Sequence, residues 1–339
     1  MAFDADWPAN DLEAVQACPY CGDADRRLVY EGVRDWAFDC APGRWSYWGC
    51  QRCNALYLHP RPTLDSIGNA YTRYYTHGGD QPTSRLGAFK QRLRNEVWSS
   101  TLHTSIAPRL GLPRWAGWAT AALKPWIAEP FGLRQLAQLP KGLLIDVGCG
   151  NGDKLKLAAQ LGWQAEGIEL DASAVKAAQA QGLHVNQGGY ELLANYGGRA
   201  DCVVCSHVLE HVHQPLHFLH LLLESLSPRG VLLLSVPNAA SFLRSYYGEN
   251  WRGLEAPRHL AIPDGAWLAQ YLRSQGMHCT QVGSYPLETA VESERMRRRG
   301  NVAVSADVQA AKAVLRKLKH QSMAQLDITQ LVCTKAKAA

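Results

Sequence analysis

Three groups of residues in this chain have the types and spacing that chemistry needs. The first is Asp146-Val-Gly148-Cys-Gly150-Asn-Gly152, behind a short apolar run and ahead of a helical pattern. Glycines at alternate positions let backbone N–H groups and a helix N-terminus approach a ligand closely. A dinucleotide fingerprint needs glycine at its first, third and sixth positions. Here the sixth position from Gly148 is Asp153, and an acid there would face a pyrophosphate, which argues against that ligand. Glu169 stands 21 residues after Gly148, at the end of the next apolar run. A carboxylate at that place can accept both hydroxyls of a ribose.

The second group is Cys18-Pro-Tyr-Cys21 and Cys50-Gln-Arg-Cys53, with 28 residues between the two turns. Each Cys-x-x-Cys turn presents two thiolates, and two turns complete a tetrahedral site. Four soft sulfurs favour zinc over an iron–sulfur centre. No position is left open, so the zinc is expected to be structural. Gly22 suits the turn, and Cys40 falls outside the pattern.

The third group is Ser206-His207-Val-Leu-Glu210-His211, with His259 in a later loop. Histidine titrates near neutral pH and can take a proton from a hydroxyl. His211 and His207 are therefore the candidate catalytic bases. His213, His217 and His220 follow at spacings of four and three, which predicts a solvated helix face.

Positioning these groups requires a scaffold, and the segments from 141 to 339 alternate between strand-like and helix-like patterns. Strands are predicted at Leu143–Val147, Gln164–Glu169, Cys202–Ser206, Val231–Val236, His278–Tyr285 and Ile328–Thr334, with a weaker one near His184–Asn186. Helices are predicted at Asp153–Leu161, Ala172–Gln181, Pro215–Leu226, Asp264–Gln275 and Ala306–Lys319. Such alternation means an α/β fold with a mostly parallel sheet. Ligands then bind beyond the carboxyl ends of the strands, where Ser206, His207 and Glu169 fall. Three blocks are expected: a zinc-ribbon-like module over 1–75, a basic helical linker or lid over 76–140, and the α/β domain over 141–339.

Hydrophobic residues make up 47% of the 339 residues, an ordinary value for a globular chain. No apolar run is long enough to span a bilayer, and Met1–Glu13 lacks the features of a signal peptide. A cytoplasmic protein is expected, with its ten cysteines as thiols or metal ligands rather than disulfides. The net charge of +5 is uneven: residues 85–141 carry nine Lys/Arg against two Asp/Glu, and residues 291–320 carry eight against three. Two basic segments on an acidic body suggest an anionic partner. Trp98, Trp115, Trp118 and Trp126 lie in the first of them, a composition that suits nucleic acid, a lid over a sugar, or a membrane surface.

The Asp-x-Gly-x-Gly-x-Gly loop resembles motif I of the class I S-adenosylmethionine (SAM) methyltransferases. Glu169, His-Val-Leu-Glu-His at 207–211, Pro-Asn at 237–238 and Pro-Arg-His-Leu at 257–260 follow in order. Together, residues 144–276 resemble the domain of the ubiquinone-biosynthesis O-methyltransferases. The Cys knuckles, Pro-Arg-Pro at 60–62 and the tyrosines of 71–75 extend the likeness to a bacterial subgroup associated with cell-surface polysaccharide synthesis. The resemblance implies a doubly wound seven-stranded sheet whose last strand is antiparallel. It implies that SAM is bound by Asp146, Gly148, Gly150, Gly152, Glu169 and Ser206, with the adenine near Gln187–Gly189. Some relatives hold a metal with Glu-x-x-Glu-His, where this chain has His207-x-x-Glu210-His211. The expected reaction is O-methylation of a sugar or glycan intermediate; RNA methylation, or a non-catalytic binding protein on the same fold, are the alternatives.

Overall fold

A computed structural model describes residues 5–72, 84–123, 130–284, 287–318 and 322–335. The chain forms two compact units: residues 1–75, 205–221 and 234–339 in the first, and residues 76–204 with 222–233 in the second. Tyr74, Tyr75, Trp126, Tyr285 and Lys319 lie outside the described residues.

The first unit opens with β1 (Leu12–Glu13), β2 (Arg26–Val33), β3 (Trp45–Cys50), β4 (Leu56–Leu58) and β5 (Arg61–Pro62). β1 pairs with β5, and β2, β3 and β4 form an antiparallel meander. In β3, Trp45 and Tyr47 are buried while Ser46 and Trp48 are half-buried, the period of two that a one-sided strand requires.

The second unit begins with α1 (Arg85–Thr101), α2 (Arg114–Leu123) and α3 (Leu133–Gln138). Ser84 caps α1 by accepting the Gly87 N–H at 3.0 Å. A Cβ on Gly117 would fall 2.1 Å from Ser100 Oγ, so glycine is what allows α2 to close on α1. There follow β6 (Leu143–Val147), α4 (Asp153–Gln160), β7 (Gln164–Glu169), α5 (Ala172–Gln179), β8 (His184–Gln187) and β9 (Ala200–Ser206). β6, β7 and β8 are parallel neighbours.

The remaining elements are α6 (Pro215–Ser225), β10 (Leu226–Pro237), α7 (Phe242–Tyr247), β11 (Ala261–Ile262), α8 (Gly265–Ser274), β12 (Met277–Ser284), α9 (Leu287–Arg297), α10 (Ser305–Lys317) and β13 (Ile328–Lys335). The main sheet has seven strands in the order β12-β13-β10-β9-β6-β7-β8. It is mostly parallel, and β12 and β13 run antiparallel. This is the doubly wound seven-stranded sheet that the sequence resemblance implied. The expected strands and helices are present with ends shifted by a few residues, and the weak strand at 184–186 is β8. α7 and α9 were not expected, and neither was the pairing of β11 with β4, which makes β11 the fourth strand of the meander. Through it, residues 1–75 are built into one unit with 234–339.

One expectation is corrected. Cys279 and Cys333 are not free thiols: they face each other across β12 and β13 and are joined as a disulfide. The antiparallel register puts their Cα atoms 4.1 Å apart despite a separation of 54 residues. In the second basic segment four of the eight cations are paired internally, while Lys312, Arg316 and Lys317 are exposed. Arg295 pairs with Glu292, Arg297 with Glu294, Arg298 with Asp307 and Arg299 with Glu249. Among the described residues no helix is long and apolar enough to cross a membrane.

Candidate functional site

The glycine loop joins β6 to α4. Gly148, Gly150 and Gly152 all have positive φ, a conformation that suits glycine. At Gly152 there is also no room, since a Cβ would lie 2.4 Å from Leu183 Cδ1. Glu169 ends β7 and is 8% exposed. Its Oε2 accepts the Gly150 N–H at 2.8 Å and its Oε1 accepts the Asp171 N–H at 2.9 Å. Both oxygens are thus fixed by backbone donors, and each keeps lone-pair capacity for a further donor. Asp146 is buried at the end of β6. Burial pushes its carboxyl up to about 6, Lys154 opposes this and Glu169 adds to it. Gly188 follows β8 and donates to the Glu169 carbonyl at 2.9 Å. Asp171 is a helix cap, accepting from Ser173 N and Oγ at 2.7 Å. Ser206 closes β9 and is half-buried.

The four knuckle cysteines come together in the first unit. Cys18 and Cys53 sulfurs are 3.4 Å apart, as are those of Cys21 and Cys50, and one atom from each residue lies within 4.8 Å of all the others. Tetrahedral zinc with Zn–S bonds of about 2.3 Å would hold its sulfurs at roughly 3.8 Å, so the set fits the ion. The two knuckles share one geometry. Gly22 N donates to Cys18 O at 2.9 Å and Asn54 N to Cys50 O at 3.1 Å, with φ of 72° and 57°. Asn54 is the counterpart of Gly22, a match hidden by the change of residue type. The hydrogen bond from Cys53 holds the Cys18 thiol down at about 6, the same bond pushes the Cys53 thiol up, and burial pushes that of Cys21 up to about 11.

The histidine cluster is also in the first unit. His207 has a φ of 57°, an uncommon backbone state outside glycine that points to local constraint. Its Nδ1 lies 3.1 Å from Glu210 Oε1. Glu210 is fully buried and its Oε2 has no hydrogen-bond partner among the described residues. Burial pushes that carboxyl up, but His207, His211 and His259 outweigh it and hold it below the usual range. His211 Nδ1 is 3.1 Å from Arg258 O and 3.0 Å from Tyr71 Oη. A carbonyl only accepts, so the Nδ1–H points at it and Nε2 carries the lone pair. His259 repeats this, with Nδ1 2.7 Å from Gly253 O. Burial holds its imidazole neutral, down at about 4. Glu210, His211 and His259 can each place one ligand atom within 4.8 Å of the other two. His207 stands outside that triangle and buttresses Glu210.

A buried ion network supports the cluster. Arg258 is wholly buried and donates to both oxygens of Asp35, at 3.0 and 2.5 Å, and to Glu255 at 3.1 Å. Glu255 also pairs with Arg252. The sequence assigns no role to Asp35 or Glu255, and Tyr71 and Arg258 figure there only within motifs of the resemblance. The contact from Asp35 to Arg258 spans 223 residues, and nothing local announces it.

Residues of the other motifs hold the scaffold. Asn238 donates to Ala324 O and Leu326 O at 2.8 Å and accepts from Ala240 N and Gly265 N at 3.0 Å. Arg61 of Pro-Arg-Pro bonds Glu13 and the His213 carbonyl. His213 was expected on a solvated helix face, but its Nε2 is 3.0 Å from Pro62 O; it precedes α6, so its ring meets the β5 loop. His217 and His220 are exposed. Cys40 is no metal ligand; its sulfur contacts Asp35 and Arg258.

With this geometry in hand, comparison with known proteins is informative. Residues 116–282 match a family model described as a methyltransferase domain. A ubiquinone biosynthesis O-methyltransferase of Xanthomonas campestris pv. campestris is 36% identical over 107 residues, covering 30% of this chain and 45% of the relative. One of Xanthomonas axonopodis pv. citri is 29% identical over 187 residues, 51% of this chain and 74% of the relative. Thus the chain spans about half the length of the first of these relatives. A SAM-dependent methyltransferase from Archaeoglobus fulgidus superposes with a TM-score of 0.42 at 17% identity, over 64% of this chain and 93% of that one.

Proposed function

We propose that the protein is a SAM-dependent O-methyltransferase acting on a hydroxyl of a sugar or glycan intermediate, with a structural zinc held by Cys18, Cys21, Cys50 and Cys53. One observation carries the cofactor reading: the Glu169 carboxylate is fixed at both oxygens by backbone N–H groups, one of them from the glycine loop. That is a rigid acceptor pair for the two hydroxyls of a ribose. The loop Gly148–Gly152 supplies close backbone approach, and Asp146 and Ser206 complete the set assigned to SAM. When bound, SAM supplies an electrophilic methyl group on a sulfonium. The protein's task is then alignment of the acceptor and removal of its proton.

His211 is assigned that proton. Its Nδ1–H is tied to the Arg258 carbonyl, which leaves Nε2 as the acceptor. Glu210 favours the imidazolium that forms, and His207 holds Glu210 in place. The sugar or glycan acceptor rests on the sequence likeness to enzymes of polysaccharide synthesis. A second reading, with a divalent cation on Glu210, His211 and His259 to orient the acceptor hydroxyl, is favoured by the unpartnered, buried Glu210 Oε2.

Calorimetric titration with SAM and S-adenosylhomocysteine, followed by a labelled-methyl screen of nucleotide sugars and glycans, tests the proposal. One-site binding is expected. His211→Ala should lower kcat by about 10²- to 10³-fold while leaving SAM affinity unchanged. Equal loss of both would make His211 a cofactor-positioning residue. No binding of either nucleoside would overturn the enzyme reading in favour of a binding protein. Loss of activity to a chelator that leaves the thiolate zinc in place would select the second reading.

A further inference from the structure

α2 has its apolar side facing outward. Gly117 marks the side packed on α1. On the opposite side, at helical spacing, stand Trp115, Trp118, Ala119, Ala122 and Leu123. Trp115 is 72% exposed, Trp118 48% and Leu123 78%. Ala119 and Ala122 are exposed as well, so this outward face carries no charge and no polar group beyond the two indole N–H donors. α1 adds Leu86 and Phe89, one turn apart and 62% and 51% exposed. Soluble surfaces rarely leave large apolar side chains grouped in this way.

The charge around them has one sign. Arg85, Lys90, Arg92, Arg94, Arg109 and Arg114 are exposed on these two helices and their connection. The one acid between residues 84 and 123 is Glu96. It is buried, accepts the Gly111 and Leu112 N–H groups at 2.7 and 3.2 Å and faces Arg109 at 3.9 Å, so it offsets at most that one of the six cations.

We propose that the α1–α2 hairpin docks on an anionic lipid bilayer. Indole rings suit the boundary between headgroups and acyl chains, where one end is apolar and the other wet. Basic side chains beside them meet the headgroup charge. A single-stranded nucleic acid would satisfy the cations, but Leu123 and the alanines offer it neither stacking surface nor hydrogen bonds. A second copy of this chain would bring the same positive charge to the contact. The inference is independent of the reaction proposed above.

Sedimentation of the full chain with vesicles tests it. Binding is expected to vesicles containing phosphatidylglycerol, not to pure phosphatidylcholine, and it should weaken as salt rises. Trp115→Ser/Trp118→Ser/Leu123→Ser should weaken it at least about tenfold, and Arg85→Glu/Lys90→Glu/Arg92→Glu should do the same. All these side chains are exposed, so thermal melting of both variants should match the parent and exclude misfolding. No sedimentation with anionic vesicles at low salt overturns the proposal, as does equal binding by the triple-serine variant. A dimer, or an RNA complex, that the serine variant abolishes in the absence of vesicle binding would also overturn it and identify the occupant.

Discussion

Glu169→Gln tests the cofactor site more sharply than Glu169→Ala, because the structure makes it a severe change. Glu169 accepts one backbone N–H on each oxygen, from Gly150 at 2.8 Å and Asp171 at 2.9 Å. A glutamine has one acceptor oxygen and one NH₂ group. Whichever way it is turned, a donor faces a donor, and one of those N–H groups loses its partner. A buried unpaired donor costs about 1–3 kcal/mol. Losing the charge on the acceptor of two ribose hydroxyls costs about another 1 kcal/mol or more. The first cost falls on the free and the SAM-bound chain alike and lowers stability; the second is felt only on binding and weakens SAM affinity at least about fivefold. Isothermal titration with SAM and S-adenosylhomocysteine measures it, and both ligands should lose affinity together because they share the ribose. If Glu169→Gln binds SAM within about threefold of the parent, Glu169 does not hold the ribose and the assignment of this pocket is wrong.

Three further outcomes are expected. Cys18→Ser or Cys50→Ser should lower zinc content below the one ion per chain expected of the parent, measured by metal analysis, and should lower the melting temperature. Asp327 is buried, and its Oδ1 accepts from Trp251 Nε1 and Ser241 Oγ at 2.8 Å. Burial raises its carboxyl from 3.8 to about 6, with the hydrogen bonds from Ser241 and Trp251 opposing. The folded chain therefore holds more protons than the unfolded chain between those values. The corresponding stability is fully present below pH 3.8, is lost as pH rises through about 6, and amounts to about 3 kcal/mol. Asp327→Asn keeps the accepting oxygen and should flatten that decline in urea titrations at pH 4 to 8; a variant as steep as the parent would refute the assignment. Finally, Arg258→Met leaves Asp35 buried without its partner and should cost about 3–5 kcal/mol in chemical denaturation.

The division of labour between sequence and tertiary structure follows the range of the interactions. The strand, glycine loop and helix around Gly148–Gly152 were legible because each feature is local: an apolar run, a turn that needs positive φ, and a helical period. The same holds for the Cys-x-x-Cys turns, whose spacing alone makes each a two-thiolate ligand. Glu169 was found from its place at a strand end, and the backbone donors that make it rigid came only with the fold. Three-dimensional packing decided the rest. Trp115 and Trp118 read equally well as packing or docking residues until the fold buried Gly117 and left them outside. His207, Glu210, His211 and His259 were grouped from sequence, but which of them converge was not readable there. The tautomers follow from the carbonyls of Arg258 and Gly253, and the cluster rests on Asp35 and Arg258, held together across 223 residues. The disulfide of Cys279 and Cys333 depends in the same way on an antiparallel register. Local chemistry, set by backbone geometry over a few residues, is written in the chain's order; contacts between distant segments depend on which surfaces the whole chain can bury together, and no short stretch records that.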